Sequence, residues 1–168
     1  MNILESKYDV SLIVPAIRTH NWVKFYESAK KACKKFTFEI VFVSPFDLPE
    51  ELKGVENIKH IYDFGCPSRC TQIAVNNAEG KLLYNCVDDG VFFEDCIDAA
   101  IEFYNSRCQV VDVVNMRYRE STNQDRDEFP PSYWHAWSVG LKLPAVSPNW
   151  SIALHFLMAR ELYNFRGS

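Results

Sequence analysis

Short apolar runs alternate with amphipathic stretches along most of this chain. The runs are rich in β-branched residues and stop at proline, serine or polar turn residues, which is typical of buried strands. Between the runs, apolar residues recur every three to four positions, as they do on the buried face of a helix. The predicted strands cover residues 10–15, 38–43, 58–62, 81–87, 110–118 and 151–159.

The amphipathic stretches predict three main helices. The first starts near Asn21, which we expect to cap it, and the second starts with Ser68 as its cap. Gly80 is expected to stop the second helix, because glycine is common just beyond helix C-termini. The third is marked by apolar residues at helical spacing: Ile97, Ala100, Ile101 and Tyr104. Two shorter helical pieces are predicted, over residues 47–52 and 160–165.

Strand and helix alternate through the first 118 residues, which predicts an α/β domain with a mostly parallel sheet and helices on both faces. With 168 residues in all, one domain is expected. Ligand sites of such sheets lie beyond the carboxyl ends of the strands. Four segments are therefore expected to share one rim: residues 15–19, 44–47, 63–69 and 88–90.

Composition and charge exclude several classes of protein. Hydrophobic residues make up 48% of the chain and charged residues 24%, as in ordinary globular domains. A net charge of -4 gives no general attraction to nucleic acid or to an anionic membrane, and the lysines of residues 30–35 are expected to be a solvated helix face. No apolar run approaches the roughly 20 residues of a membrane-spanning helix. The N-terminus lacks the features of a signal peptide, so a cytoplasmic location is expected.

The six cysteines are expected to be free thiols. The chain is large enough to fold without disulfides. Only Cys66 and Cys70 are close in sequence, and this single C-x3-C pair lacks the second pair of ligands that a structural zinc site needs.

One candidate site stands out in YNCVDDGVFF (residues 84–93), where an apolar run ends at two adjacent acids and a glycine. Neighbouring carboxylates repel each other and need water, a cation or hydrogen-bond donors. Asp88 and Asp89 would hold Mg²⁺ or Mn²⁺ together with the phosphates of a substrate, since these cations prefer carboxylate oxygens. The alternative is a simple turn, because Asp-Gly is a turn dipeptide. The spacing alone leaves both interpretations open.

The order of segments carries more information than any one of them. A strand ends at proline, a second strand ends in a loop with an acid, and a helix closes in Ala78-Glu79-Gly80 before the strand that leads to the acid pair. This order resembles that of family 2 glycosyltransferases of the GT-A fold, where the last strand delivers an Asp-x-Asp-type motif. The stretches that carry the resemblance are SLIVPAIRTHNW (11–22), FEIVFVSPFD (38–47), GCPSRCTQIAVNNAEGKLLYNCVDDGVFFED (65–95) and LMARELY (157–163).

The resemblance implies a GT-A-type fold and a function. A sugar would move from a nucleoside-diphosphate sugar to an acceptor hydroxyl, with Mn²⁺ or Mg²⁺ held by Asp88 and Asp89 on the diphosphate. The implied substrate contacts are Pro15, Ala16 and Ile17 at the nucleobase and ribose, Asp47 at the nucleobase, and Arg69 and Asp88 at the sugar-nucleotide phosphates. Residues 1–168 would form a single domain, in which residues 1–118 bind the nucleotide sugar and residues 119–168 begin the acceptor side. The acceptor is unknown, and the oligomeric state is open, with a homo-oligomer as one alternative.

The chain also departs from the family pattern. Ser44-Pro45 replaces the acids that usually follow the second strand, and Thr71-Gln72 replaces an Arg-Asn pair. The family's catalytic base lies in the acceptor half, so we expect either part of a larger enzyme or a minimal domain with an unusual base. The catalytic base is unknown, and the acids of the loop at residues 121–132 are the candidates: Asp125, Asp127 and Glu128.

Other interpretations therefore stay open. A non-catalytic nucleotide- or glycan-binding module would keep the fold and lack the base. A nucleotidyltransferase would need a glycine-bearing phosphate loop after the first strand, and residues 15–20 contain no glycine. Several aromatic and histidine side chains late in the chain would serve either a site or the core. They are Trp134, His135, Trp137, Trp150 and His155.

Overall fold

The structure is a computed structural model that describes residues 6–107, 113–115 and 156–160. The described elements alternate between strand and helix as far as the third helix. In chain order they are β1 (Tyr8–Pro15), α1 (Thr19–Ala32), β2 (Phe38–Ser44), a short 3-10 helix (Glu50–Leu52), β3 (Ile58–Tyr62), α2 (Pro67–Asn77), β4 (Gly80–Asn85), α3 (Cys96–Arg107), β5 (Val113–Asn115) and β6 (Phe156–Ala159).

All six strands belong to one sheet, in the order β3-β2-β1-β4-β6-β5. The first four pair in parallel, and β6 runs antiparallel between β4 and β5. The prediction of an α/β fold with a mostly parallel sheet is confirmed.

Helices cover both faces of the sheet, as the apolar pattern predicted. On one face, Trp22 and Phe25 of α1 pack with Phe42 of β2 in a cluster that also takes in Ile97 of α3. The rings of Trp22 and Phe42 stack with their centroids 4.9 Å apart. On the other face, α2 supplies small residues, Cys70, Ala74 and Val75, which pack against Ile13, Val41 and Leu83. Neighbouring strand residues such as Leu12 and Ile13 thus enter different cores, which is why the strands are apolar throughout.

The strand order reverses direction at β1. From β1 the chain continues to β2 and β3 on one side of the sheet, whereas β4 pairs with β1 on the other side. The loops that leave β1 and β4 lead to α1 and α3, which pack on the same face of the sheet, and the two loops meet beyond the carboxyl ends of these strands. The surface that they expose there, formed by Ile17, Arg18 and Asp89, is the candidate crevice. Open α/β sheets bind their ligands at such a switch point.

The opposite end of the sheet contains a closed polar network around Glu39, which is buried near the start of β2. Its Oε1 accepts hydrogen bonds from Ser11 Oγ, at 2.5 Å, and from the amide N–H of Glu79. Ser11 Oγ in turn accepts a hydrogen bond from the amide N–H of Gly80, at 2.8 Å. Glu39 thereby ties together the amino ends of β1, β2 and β4.

Both predicted helix caps are wrong. The first helix begins at Thr19, two residues before Asn21, and the Arg18 side chain makes no capping hydrogen bond to it. The second begins at Pro67, one residue before Ser68, with no side-chain cap. Proline suits this first position, because its missing N–H would have no partner inside the helix and its φ is already helical.

The prediction for Gly80 is also wrong, because this residue begins β4 and does not end α2. The helix ends at Asn77 and is followed by Ala78 in an extended conformation. A Cβ at position 80 would lie 2.5 Å from the backbone nitrogen of Ser11 and 2.7 Å from the carbonyl carbon of Val10. Glycine is needed here because two strand backbones approach closely.

Other boundaries move without changing the architecture. The fourth strand ends at Asn85 and not at residue 87, and the helical turn is confined to Glu50–Leu52. The last two predicted strands are present as Val113–Asn115 and Phe156–Ala159. The other residues of these two predicted strands and the helix predicted after Arg160 lie outside the described residues. So do the candidate site residues from the second half of the chain, which are Asp125, Asp127, Glu128, Trp134, His135, Trp137, Trp150 and His155.

The lysines of residues 30–35 are exposed, and three of them, Lys30, Lys34 and Lys35, pair with acids. Lys30 pairs with Glu27 at 2.7 Å, and Lys35 pairs with Glu102 of α3 at 2.6 Å. The five cysteines within the described ranges are all free thiols. Across those same ranges, no helix is long and apolar enough to cross a membrane.

Candidate functional site

Asp88 and Asp89 lie in the turn that follows β4, at the switch point of the sheet. The turn is closed by a hydrogen bond from the amide N–H of Gly90 to the carbonyl of Val87, at 3.2 Å. The turn interpretation of this dipeptide therefore describes its backbone correctly. The two side chains have different surroundings, however: Asp88 is only 1% exposed, whereas 47% of the Asp89 side chain is exposed.

The buried carboxylate of Asp88 is bound to the loop that leaves β1. Its Oδ2 accepts hydrogen bonds from the amide N–H of Ile17, at 2.7 Å, and from that of Arg18, at 2.5 Å. The indole Nε1–H of Trp22 approaches the same oxygen at 3.4 Å. Its Oδ1 accepts a hydrogen bond from Arg18 Nη1 at 2.7 Å. Asp88 thus fixes the β1 loop directly against the β4 turn.

The position of Asp88 also suits helix α1. This helix has no acid in its first turn and no side-chain cap. Asp88 meets the backbone just before Thr19, where the helix dipole favours negative charge. Burial opposes ionisation of Asp88, but the amides of Arg18 and Ile17, with the Arg18 guanidinium, outweigh it and hold the pKa of this carboxyl below its usual value.

Arg18 joins the two acids. Its Nη1 lies 2.7 Å from Asp88 Oδ1 and 3.5 Å from Asp89 Oδ2, and 46% of its side chain is exposed. The hydrogen bond to Asp88 and the charges of both acids raise the pKa of Arg18 above its ordinary value. The acid pair is therefore neutralised in part by a guanidinium that reaches it from the solvent side.

The predicted nucleotide contacts of the β1 loop differ in accessibility. The side chain of Ile17 is 60% exposed, whereas that of Ala16 is buried and Pro15 is partly buried. A ligand in the crevice would meet the side chain of Ile17 and only the backbone beside Ala16. On the neighbouring loop, which follows β2, Phe46 and Asp47 are both exposed. The structure thus brings Ile17 and Asp88 into contact and leaves Asp47 on the adjacent loop.

Arg69 is engaged elsewhere on the rim. Its Nη2 lies 2.9 Å from Asp63 Oδ2, and its Nε lies 3.0 Å from Asp63 Oδ1. Together with Tyr62, Phe64 and Gly65, the two residues line an open hollow of about 360 Å³. The hydrogen bond from Arg69 lowers the pKa of Asp63. This loop follows β3, two strands from β1, or about 10 Å away at the usual strand spacing.

Two residues of this site escaped the sequence analysis. Arg18 and Trp22 both bind Asp88, yet each was included only as part of a longer segment. Arg18 lies three residues beyond the predicted end of the strand, within a segment that was expected at the rim, so its position was a usable signal. Nothing in the sequence pairs Trp22 with an acid 66 positions later.

The two carboxylates supply only part of the ligand set of a divalent cation. Within the described residues, no three or more side chains of histidine, cysteine, aspartate or glutamate form a group that would hold a metal. Mg²⁺, however, is usually held by one or two carboxylates together with substrate phosphates and water. Asp89 offers an exposed carboxylate, and Asp88 offers an Oδ1 whose described hydrogen bond comes from the half-exposed side chain of Arg18. The donor set therefore fits a cation that arrives with a diphosphate.

No family model matches the chain, and no curated protein matches it in sequence. Solved structures do match it. TarS 1-349 from S. aureus in complex with UDP-GlcNAc has a TM-score of 0.56 and 20% identity, over 71% of this chain and 37% of that chain. The mannosyltransferase PcManGT from Pyrobaculum calidifontis in complex with GDP-Man and Mn²⁺ has a TM-score of 0.65 and 14% identity, over 96% of this chain and 47% of that chain.

These likenesses show that the chain has a GT-A glycosyltransferase fold. The chain spans less than half the length of either structure. Identities of 20% and 14% show a shared fold, and the ligands of the two complexes are observations on those two proteins alone.

Proposed function

We propose that the chain binds a nucleoside-diphosphate sugar between the β1 and β4 loops and takes part in transferring its sugar to an acceptor hydroxyl. The observation that carries this proposal is the pair Asp88 and Asp89 at the switch point of a GT-A sheet, with one carboxylate buried and the other exposed. The complexes of TarS with UDP-GlcNAc and of PcManGT with GDP-Man support the class of ligand.

The donor nucleotide would lie across the carboxyl ends of β1 and β2. The exposed side chain of Ile17 and the backbone of Pro15 and Ala16 would contact the nucleobase and ribose, with Asp47 as the polar contact on the β2 loop. Arg69 is an outer contact in this proposal, because it must leave Asp63 before it can reach a phosphate. Residues 1–118 would bind the donor, and residues 119–168 would begin the acceptor side.

The diphosphate would lie beside the acid pair. When bound, a divalent cation such as Mn²⁺ or Mg²⁺ would offset the negative charge that develops on the departing nucleoside diphosphate. Asp89 is the more accessible ligand for it, and Asp88 would contribute Oδ1 while its Oδ2 keeps the β1 loop in place. Asp88 therefore has two roles, as a ligand and as the anchor of the loop that receives the nucleotide. No described residue is assigned the role of general base.

Titration calorimetry tests the proposal. UDP and GDP are each titrated into the wild-type chain with Mn²⁺ and again with a chelator. We expect binding that depends on Mn²⁺, and we expect Asp89→Asn to weaken it by about tenfold or more, since a charged ligand to the cation is lost. Stability should be nearly unchanged in this variant, because the side chain is half exposed.

Glu102→Gln provides the matched control. Glu102 is also a half-exposed acid paired with a cation, but it binds Lys35 beyond the C-terminal end of α1, whereas the crevice meets the N-terminal end. Its substitution should leave nucleotide affinity unchanged. Absence of UDP and GDP binding under all conditions would contradict the proposal. Nucleotide binding without sugar transfer to any acceptor would favour the alternative of a non-catalytic nucleotide-binding module.

A further inference from the structure

The guanidinium of Arg18 occupies the place on the acid pair where a cation would bind. Within the described hydrogen bonds, Asp88 Oδ2 has three donors, whereas Oδ1 has Arg18 Nη1 alone. The same Nη1 lies 3.5 Å from Asp89 Oδ2. The oxygens that the proposed function assigns to a divalent cation are therefore those that Arg18 contacts.

Arg18 and a divalent cation would compete for these oxygens. Like charges at this separation repel each other in solvated or partly solvated surroundings, and the repulsion is greater for a divalent cation. A cation therefore binds the acid pair well only after the guanidinium has moved away. The competition is local, because the Asp88 carboxylate itself stays anchored by the backbone amides of Ile17 and Arg18.

The side chain of Arg18 is able to leave without disturbing that anchor. Its backbone N–H remains bound to Asp88 Oδ2, and nearly half of the side chain is already exposed to solvent. Phosphate is the natural destination, since the planar guanidinium donates two parallel hydrogen bonds to phosphate oxygens. A diphosphate in the crevice would offer such oxygens next to the present position of Arg18.

We infer that Arg18 is an internal counter-ion. Its guanidinium occupies the cation site on Asp88 and Asp89 until it moves to the phosphates of a bound nucleoside diphosphate. The inference rests on the proposed function and adds a positioning residue to it. Its consequence is coupling: the free protein binds a divalent cation weakly, and the nucleoside diphosphate and the cation each strengthen the binding of the other.

Binding of Mn²⁺ alone is the direct test, followed through the electron paramagnetic resonance signal of free Mn²⁺. We expect Arg18→Gln to tighten Mn²⁺ binding in the absence of nucleotide by about tenfold or more, as expected when a nearby like charge is removed. Adding Asp89→Asn to this variant should abolish the gain. Arg18→Lys keeps the positive charge and should resemble the wild type.

Lys35→Gln is the matched control, because Lys35 is also an exposed cation paired with an acid, Glu102, and it lies beyond the C-terminal end of α1, away from the acid pair. It should leave the affinity for Mn²⁺ alone unchanged. A thermal unfolding curve of each variant shows that the fold is intact. Wild-type affinity for Mn²⁺ in Arg18→Gln, or weaker affinity, would overturn the inference.

A second measurement separates this inference from the proposed function. GDP and UDP are titrated into the wild type and Arg18→Gln with and without Mn²⁺. We expect Arg18→Gln to bind nucleotide more weakly without metal and to show a smaller gain when Mn²⁺ is added. Nucleotide binding with equal gains in both proteins would overturn the inference alone. Failure of the wild type to bind either nucleotide would overturn the proposed function and, with it, the inference.

Discussion

The two ends of the sheet each contain a buried carboxylate that ties loops and strands together. At the amino end, Glu39 accepts hydrogen bonds from Ser11 Oγ and from the amide of Glu79. At the carboxyl end, Asp88 accepts them from the amides of Ile17 and Arg18. Both acids therefore satisfy backbone or hydroxyl donors that would otherwise be buried without a partner.

The surroundings of the two acids differ. The partners of Glu39 lie within strands or at their ends, and Ser11 is fully buried. Asp88, by contrast, lies beside the half-exposed Arg18 and Asp89. The same chemistry thus closes the structure at one end and leaves solvent-accessible charged groups beside the buried acid at the other. A buried acid by itself says little about function, and its neighbours on the solvent side say more.

The two ends should differ most in how much stability is lost when a glycine is replaced by alanine. In Gly80→Ala, the new Cβ would meet the backbone of Ser11 and Val10, and neither strand is free to move. We expect a loss of about 3 kcal/mol in the free energy of unfolding. In Gly65→Ala, the Cβ would meet the flexible side chains of Arg69 and Asp63, so the loss should be below about 1 kcal/mol. Urea denaturation of both variants measures the difference, and equal losses would show that the amino end is no more rigid than the rim.

Asp88→Asn should affect stability and ligand binding together. The amide group of asparagine cannot accept hydrogen bonds at both positions, and the negative charge at the N-terminus of α1 is lost. We expect a loss of about 2–3 kcal/mol in the free energy of unfolding and weaker nucleotide binding. Denaturation and calorimetry on the same preparation measure both. Full stability combined with lost binding would mean that Asp88 is a ligand and no anchor.

Glu39→Gln should affect stability only. The amide oxygen of glutamine still accepts a hydrogen bond, but the charge that faces Ser11 and Lys59 is lost. We expect a loss of about 1–2 kcal/mol in the free energy of unfolding. Because Glu39 lies at the opposite end of the sheet, nucleotide affinity should equal that of the wild type. A change in nucleotide affinity would contradict the conclusion that the Glu39 end of the sheet is structural and the Asp88 end binds the ligand.

The change of stability with pH should show the contribution of the ionised Asp88 carboxylate. Its pKa is lowered in the folded chain from an ordinary value of 3.8. A lowered pKa stabilises the fold above the ordinary value, and this contribution is lost as pH falls through the lowered pKa. The stability difference between the wild type and Asp88→Asn should therefore stay constant from about pH 7 to pH 5 and shrink below about pH 4. A difference that persists unchanged to about pH 3 would contradict this assignment.

The sequence predicted the fold because the strands are apolar on both faces and the helices on one. These patterns are local, and the first four strands were found within two residues of their observed ends. The start of α1 was missed because the acid that binds the backbone beside it is distant in sequence, whereas the start of α2 follows from the local preference for proline at the first helical position. Arg18 meets Asp88 70 positions further along the chain, and no local rule for capping includes such a partner.

The candidate site was predicted in part for the same reason. The acids and the rim segments follow from strand ends, which are local features. The role of Arg18 follows from the strand order, which places β1 beside β4 only after the chain has crossed the sheet. Gly80 shows the same limit, since a helix-stop pattern was assigned where a close approach of two strands is the actual constraint.

Hydrogen exchange followed by mass spectrometry tests most directly whether the carboxyl end of the sheet binds the nucleotide. The wild-type chain is compared with and without saturating UDP or GDP and Mg²⁺. We predict new protection in the β1 loop, in the loop after β2 and in the turn that contains Asp88 and Asp89. No change is predicted around Glu39 and Gly80. Protection confined to the amino end, or no protection at any concentration of either nucleotide, would contradict it.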